Sequence, residues 1–152
     1  MGAYSFANVT LTLTGPGGSI QLGAGAGSDK GGITIAFDED KDTTTTGADG
    51  SIMHNLHPGQ TGTITVRLLK TSPANSILSK LYAFQRSSSA NWGQNVMRGA
   101  DVVRGDVFSG VAMAFVKYPD NTYAEDGPSM EWHFRGIIRE LLGAGSADLT
   151  LP

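Results

Sequence analysis

Between Thr61 and Gln85 the chain reads TGTITVRLLKTSPANSILSKLYAFQ, a period-two pattern that passes almost directly into a helical one. Ile64, Val66 and Leu68 alternate with Thr63, Thr65 and Arg67, as a strand with one buried face requires. Ser72 suits an N-cap, and Pro73 suits the first helical position, where its missing N–H costs nothing. Ile77, Leu81 and Phe84 then recur at helical spacing with Leu78 and Tyr82 beside them, giving an apolar face wide enough to cover a sheet. The spacing predicts one helix over about residues 73–86, with Ile77, Leu81 and Phe84 packed on the sheet.

Everywhere else the pattern is that of strands. Val9, Leu11 and Leu13 alternate with Thr10, Thr12 and Thr14, and SIQL after the GPGG turn pairs back as a short strand. GAGAGSDKGG reads as a loop, and ITIAF as a strand with Ile33, Ile35 and Phe37 on one face. Thr43 to Gln60 is a long arm in which Thr43–Thr46 are strand-compatible and GADG signals a turn. NVMRGADVV is a weak strand, and GDVFSGVAMAFVKYP is a strong one with apolar residues on both faces, as if buried on both sides. MEWHFRGIIREL is a final long strand with a bulge expected near Gly136, followed by a loose tail over about 143–152. The sum is a mainly β fold, a sandwich or barrel of about six or seven strands with one packed helix, in a single domain spanning 1–152. The 21 glycines fit turns and bulges and argue against a helical bundle.

Charge and residue usage narrow the chemistry. A net charge of −3 and the lack of any basic run oppose a protein that grips nucleic acid through its phosphates. With 0 cysteines there are no disulfides or thiolate metal sites. The N-terminus lacks the basic and apolar regions of a signal peptide, and no apolar run is long enough to span a bilayer, so folding in a cytoplasm is expected.

Each motif that invites a site reading is incomplete. GAGAGSDKGG has Ser28 where a dinucleotide fingerprint needs Gly, and no helix follows. Asp38, Asp40 and Asp42 alternate as in a calcium loop, yet Thr43 occupies the sharp-turn glycine position and Asp49 that of the bidentate Glu. His54 and His57 could start a zinc site, but His133 is the one further histidine. Glu131 and His133 share a strand face and could form an acid–base pair, though no nucleophile motif accompanies them. The patterns RGD at Arg104–Asp106 and NVT at Asn8–Thr10 need a secretory route to matter. No cofactor, no metal and no enzymatic activity are expected. A β domain with a long arm and no site is suited to touching copies of itself, because free strand edges are a liability in a monomer.

The segments YSFANVTLTLTGPGGSIQLGAGAG, GITIAFDEDKDTTTTGADGSIMHNLHPGQTGTITVRLLKTSPANSILSKLY, GQNV, RGDV and DNTYAEDGPSMEWHF resemble the tail tube proteins of contractile-tailed bacteriophages. The likeness runs from Tyr4 to about Arg139 and is most specific over Gly47–Leu81, with GADG, MH-x-LH and TVRLLKTSP-x-N. It implies a structural virion protein of the phage tail, assembled in the host bacterial cytoplasm. Its subunits would form stacked hexameric rings whose strands complete a multi-subunit β-barrel. The implied partners are further copies of the chain, the tail sheath protein, the baseplate hub and tail terminator, and a tape measure protein. Genome DNA would pass through the lumen without tight binding.

On that footing Thr43, Thr44, Thr45, Thr46, Asp49, Met53, His54, Leu56 and His57 are expected at subunit or ring contacts. Asp38, Glu39, Asp40 and Asp42 are expected to face the lumen or meet basic groups of the next ring. Two other readings predict different behaviour. A sugar- or receptor-binding β-sandwich would show an exposed aromatic platform, with Trp92 and Tyr123 as the loop candidates. The tube of a phage-like injection machine would differ from a phage tube in its gene neighbours.

Overall fold

A computed structural model describes residues 4–25 and 27–143. Residues 144–152, where the loose tail was expected, lie outside the described part. A 3-10 turn at Phe6–Asn8 leads into β1 (Val9–Gly15), β2 (Gly18–Gln21), β3 (Ser28–Phe37), β4 (Asp42–Thr46), β5 (Ile52–Leu56) and β6 (Thr61–Leu68). The helix α1 (Ala74–Ser87) follows, then β7 (Asn95–Asp101), β8 (Asp106–Phe115) and β9 (Met130–Leu141). Seven strands form one antiparallel sheet in the order β2-β1-β7-β8-β9-β6-β3, while β4 and β5 pair only with each other. The described residues hold nine strands where about six or seven were expected, seven of them in the main sheet. The addition is β5, whose IMHNL sequence lacks clear alternation.

The sheet is curled. Its end strands, β2 and β3, are consecutive in the chain, and Ala24 N–H still donates to Val9 O at 3.0 Å while Ser28 already pairs with Leu68. The few residues between can span only about 15 Å, whereas a flat sheet would separate its end strands by roughly 29 Å. The sheet therefore wraps around its core, but among the described residues no ladder joins β2 to β3 and the barrel stays open. Inside lie Leu11, Leu13, Ile64, Val66, Met97, Phe115, Trp132 and Phe134, each at most 1% exposed.

The helix begins as the sequence predicts: Ser72 Oγ accepts from Ala74 N–H at 3.2 Å, with Pro73 already helical. Its buried stripe is different. Ala74, Leu78, Leu81 and Gln85 are buried, whereas Ile77 and Phe84 are 43% and 40% exposed. Of the three packing residues expected, Leu81 alone is in the core. The reason is polar: Gln85 Oε1 accepts from Phe115 N–H at 3.0 Å and its Nε2 donates to Phe115 O at 3.3 Å, closing the end of β8 as a strand partner would. At the other end, Asn75 Oδ1 accepts from Trp132 Nε1 at 2.9 Å. Hydrogen bonds at both ends of α1 fix which face turns inward, because buried strand groups without partners are costly.

The bulge near Gly136 sits on the partner strand. Gly136 pairs regularly with Gly62, while β8 shifts register between Val111 and Ala114, with Ala112 at φ 54. This re-phases β8: Met113 and Phe115 are buried but Val111 is 43% exposed, so β8 is not covered on both sides. A Cβ at residue 136 would lie 2.7 Å from Val111 O and 2.8 Å from Ala112 O, both backbone atoms. Gly136→Ala is therefore expected to cost about 1–3 kcal/mol through displacement of the bulge. An unchanged urea midpoint would contradict this.

Candidate assembly interface

The arm is a β-hairpin. Its register pairs Thr43 with Asn55, Thr44 with His54, Thr45 with Met53 and Thr46 with Ile52. At the tip Gly47 N–H donates to Ser51 O at 2.7 Å, and Gly50 takes φ 88. Asp49 Oδ1 accepts from Ser51 Oγ at 2.7 Å and from Ser51 N–H at 3.0 Å. These bonds, the hydroxyl first, hold the Asp49 carboxyl below its ordinary pKa. At the root His57 N–H donates to Lys41 O at 2.9 Å, and Lys41 Nζ donates to Gly59 O.

All residues of β4 are exposed, as are Ile52, Met53 and Leu56 on β5, Leu56 at 86%. A lone two-stranded ribbon is marginal in water, and one carrying exposed apolar side chains is suited to contact with something else. The residues expected at contacts are thus brought together on one ribbon. Leu56, His54 and Ile52 share a face with Asp42, Thr44 and Thr46; Met53 and Asn55 share the other with Thr43 and Thr45. His54 Nδ1 lies 2.9 Å from Asp42 Oδ2, and His57 Nε2 3.0 Å from Thr43 Oγ1. The two histidines therefore hold the ribbon together, and among the described residues no cluster of His, Asp or Glu is arranged to hold a metal.

The acidic run separates into two kinds of group. Asp38 accepts from Arg135 Nε at 3.0 Å and Nη2 at 2.8 Å, and Asp42 faces His54. Glu39 and Asp40 have no ion-pair partner among the described residues.

The outward sheet face carries most of the arginines. Arg67 donates to Glu131 at 3.1 Å and to Thr34 at 2.8 Å. His133 lies between Thr65, at 3.0 Å, and Glu131, at 3.8 Å, a set that superficially resembles a catalytic triad. It lacks the required parts. Thr65 is 8% exposed in the middle of a ladder, its neighbours' amides serve strand pairing, and Arg67 already holds Glu131. Among the described residues around His133, no nucleophile stands open beside oxyanion donors. Nor do Trp92 and Tyr123 form one aromatic platform. Trp92 follows the C-terminal end of α1, whereas Tyr123 lies beside Asn75 and Ser76 at the other end, some 20 Å along the helix.

Among the described residues the arrangement presents two open sheet edges, an exposed hairpin and a charged outer face. The sequence profile of the bacteriophage PhiTE tail tube proteins matches residues 1–143. The chain belongs to this tail tube family. It is accordingly a structural protein and not an enzyme. No curated protein matches it. Among solved structures, the tail chain recorded as "Tail of empty GTA particle computed with helical refinement, C6 symmetry" is 15% identical with a TM-score of 0.57, covering 92% of this chain and 98% of that one. The terminating cap of the anti-feeding prophage tube is 10% identical with a TM-score of 0.55, covering 93% of each. The sheath/tube terminator of the PVC extracellular contractile injection system, in its extended state, is 13% identical with a TM-score of 0.52, covering 93% of this chain and 97% of that one. At these identities the tail tube chain shares their fold.

Sequence reasoning did not single out Ile52, 61% exposed on the ribbon, or Arg98 and Arg139 on the outer face. A signal for the arginines was present. Arg139 occupies an outward position in a strand whose alternation was legible, Arg98 lies in the strand read as weak, and only the register Arg98–Ser109–Arg139 shows them to be neighbours.

Proposed function

We propose that the tail tube chain builds the inner tube of a contractile phage tail, as stacked hexameric rings around a channel for genome DNA. The observation that carries this is the family match over 1–143, together with a sheet that leaves β2 and β3 unjoined. An open barrel whose end strands lie at its margins extends by pairing with neighbours, which removes the exposed edges. Six-fold symmetry recorded for the GTA tail, which has the same fold, supports the ring size.

In this reading the ribbon of β4 and β5 is the contact arm between subunits or rings. The sheath surrounds the tube, the hub and terminator close its ends, and tape measure protein and DNA occupy the lumen. A charge of −3 per copy, repeated around each ring, opposes tight DNA binding, since that binding depends on releasing counterions to basic groups. Glu39 and Asp40, without ion-pair partners among the described residues, are the acids available to face the lumen or a neighbour's basic groups. The particle is assembled in the host cytoplasm. Negative-stain microscopy of the purified protein tests the reading: hollow rods or six-fold rings are expected, and a monomer at high concentration would overturn it.

A further inference from the structure

A groove is lined on the outer sheet face by Arg98, Val107, Ser109, Arg139 and Leu141, while Phe108 and its cross-strand partner Glu140, which also border it, alternate to the other face. Arg98 pairs across the ladder with Ser109, and Ser109 with Arg139, so the two arginines flank one serine on strands about 10 Å apart. Neither has an ion-pair partner among the described residues, unlike Arg67 and Arg135 on the same face. Val107 and Leu141, also cross-strand partners, give the groove an exposed apolar floor.

The complementary surface is on the same chain. At the hairpin root Leu56 pairs with Asp42, two residues from Asp40. The most exposed of the large apolar side chains thus stands beside the unpartnered carboxylates Glu39 and Asp40. No hairpin residue lines the groove of its own chain. We infer that this groove receives the hairpin root of a second copy, Leu56 against Val107 and Leu141 and Glu39 with Asp40 against Arg98 and Arg139. The inference rests on the tube reading and gives the contact arm its receptor. Two arginines beside one apolar patch and two carboxylates beside the other, none ion-paired among the described residues, fit the pattern of a desolvated centre with a charged surround. It also accounts for arginines on a protein whose net charge opposes nucleic-acid binding: a neighbouring copy's acids neutralise them.

The chain contains no cysteine, so a disulfide can be placed without background. In Leu56→Cys/Ser109→Cys, mild oxidation of assembled rods is expected to give a ladder of covalent oligomers on a non-reducing gel. Leu56→Cys paired with Lys80→Cys, on the exposed side of α1, should give none. Arg98→Glu/Arg139→Glu should reduce pelletable rods at least tenfold, and adding Glu39→Arg/Asp40→Arg should restore most of the yield. Circular dichroism of the subunits should stay unchanged, since all four positions are exposed. Rods that form without the ladder would overturn the docking, and still more so if nuclease treatment then released DNA held by Arg98 and Arg139. A parent protein that forms neither rods nor rings would instead overturn the tube reading beneath it.

Discussion

Trp132→Ala is expected to cost about 4 kcal/mol or more, a large part of the stability of a domain this size. Trp132 is fully buried and sits in a chain of aromatic contacts, 5.9 Å from Phe115 and 5.5 Å from Tyr118 between ring centroids. Tyr82 meets the same two rings at 5.7 and 5.5 Å, so the cluster links β9 and β8 to α1. Truncation would open a cavity at that junction and leave Asn75 Oδ1 without its donor. The urea midpoint should fall by about 2 M with little change in slope. Trp132→Phe, which keeps the apolar body and loses the N–H, should cost about half as much or less. Equal midpoints for Trp132→Ala and the parent would show that the aromatic cluster does not hold the helix to the sheet.

The second large effect is on assembly and not on folding. Leu56→Asp with His57→Glu should lower the yield of rods at least a hundredfold. Leu56 is 86% exposed, so the subunit itself loses little and its urea midpoint should shift by less than about 0.5 kcal/mol in equivalent stability. The new charges join Glu39, Asp40 and Asp42 at the hairpin root and remove the apolar contact. His57 also gives up its bond to Thr43, which tests whether the ribbon must be held in shape. Sedimentation and microscopy read the outcome; normal rods from this variant would remove the ribbon from the interface.

Local pattern was a good guide wherever one face of a strand meets the core. Leu11 and Leu13, Ile64 to Leu68, and Met130 to Phe134 are buried in the alternation they display, since a one-residue slip would turn each set outward. The arm was legible as an arm from its turn signal and length. Its second strand was not, because IMHNL makes its ladder without burying a face and so leaves no periodic trace. The helix was legible in position but not in rotation. Two stripes overlap at Leu81, and the apolar one through Ile77 and Phe84 is the stronger by sequence.

By itself, then, the sequence determined most of the element types, though not β5 or the first half of β3, together with the placement of the helix, the buried face of most strands, the absence of thiol chemistry and the likeness to tail tubes. Each of these is written within a short window as a period, a cap or a composition. The tertiary structure alone decided the face of α1, the bulge opposite Gly136 and the open curl of the sheet. It also decided which charges are spent inside the chain, as Asp38 on Arg135, and which have no ion-pair partner among the described residues, as Glu39, Asp40, Arg98 and Arg139. Those outcomes depend on partners far apart in sequence: Gln85 turns inward because Phe115, thirty residues later, presents an amide and a carbonyl beyond the end of β7.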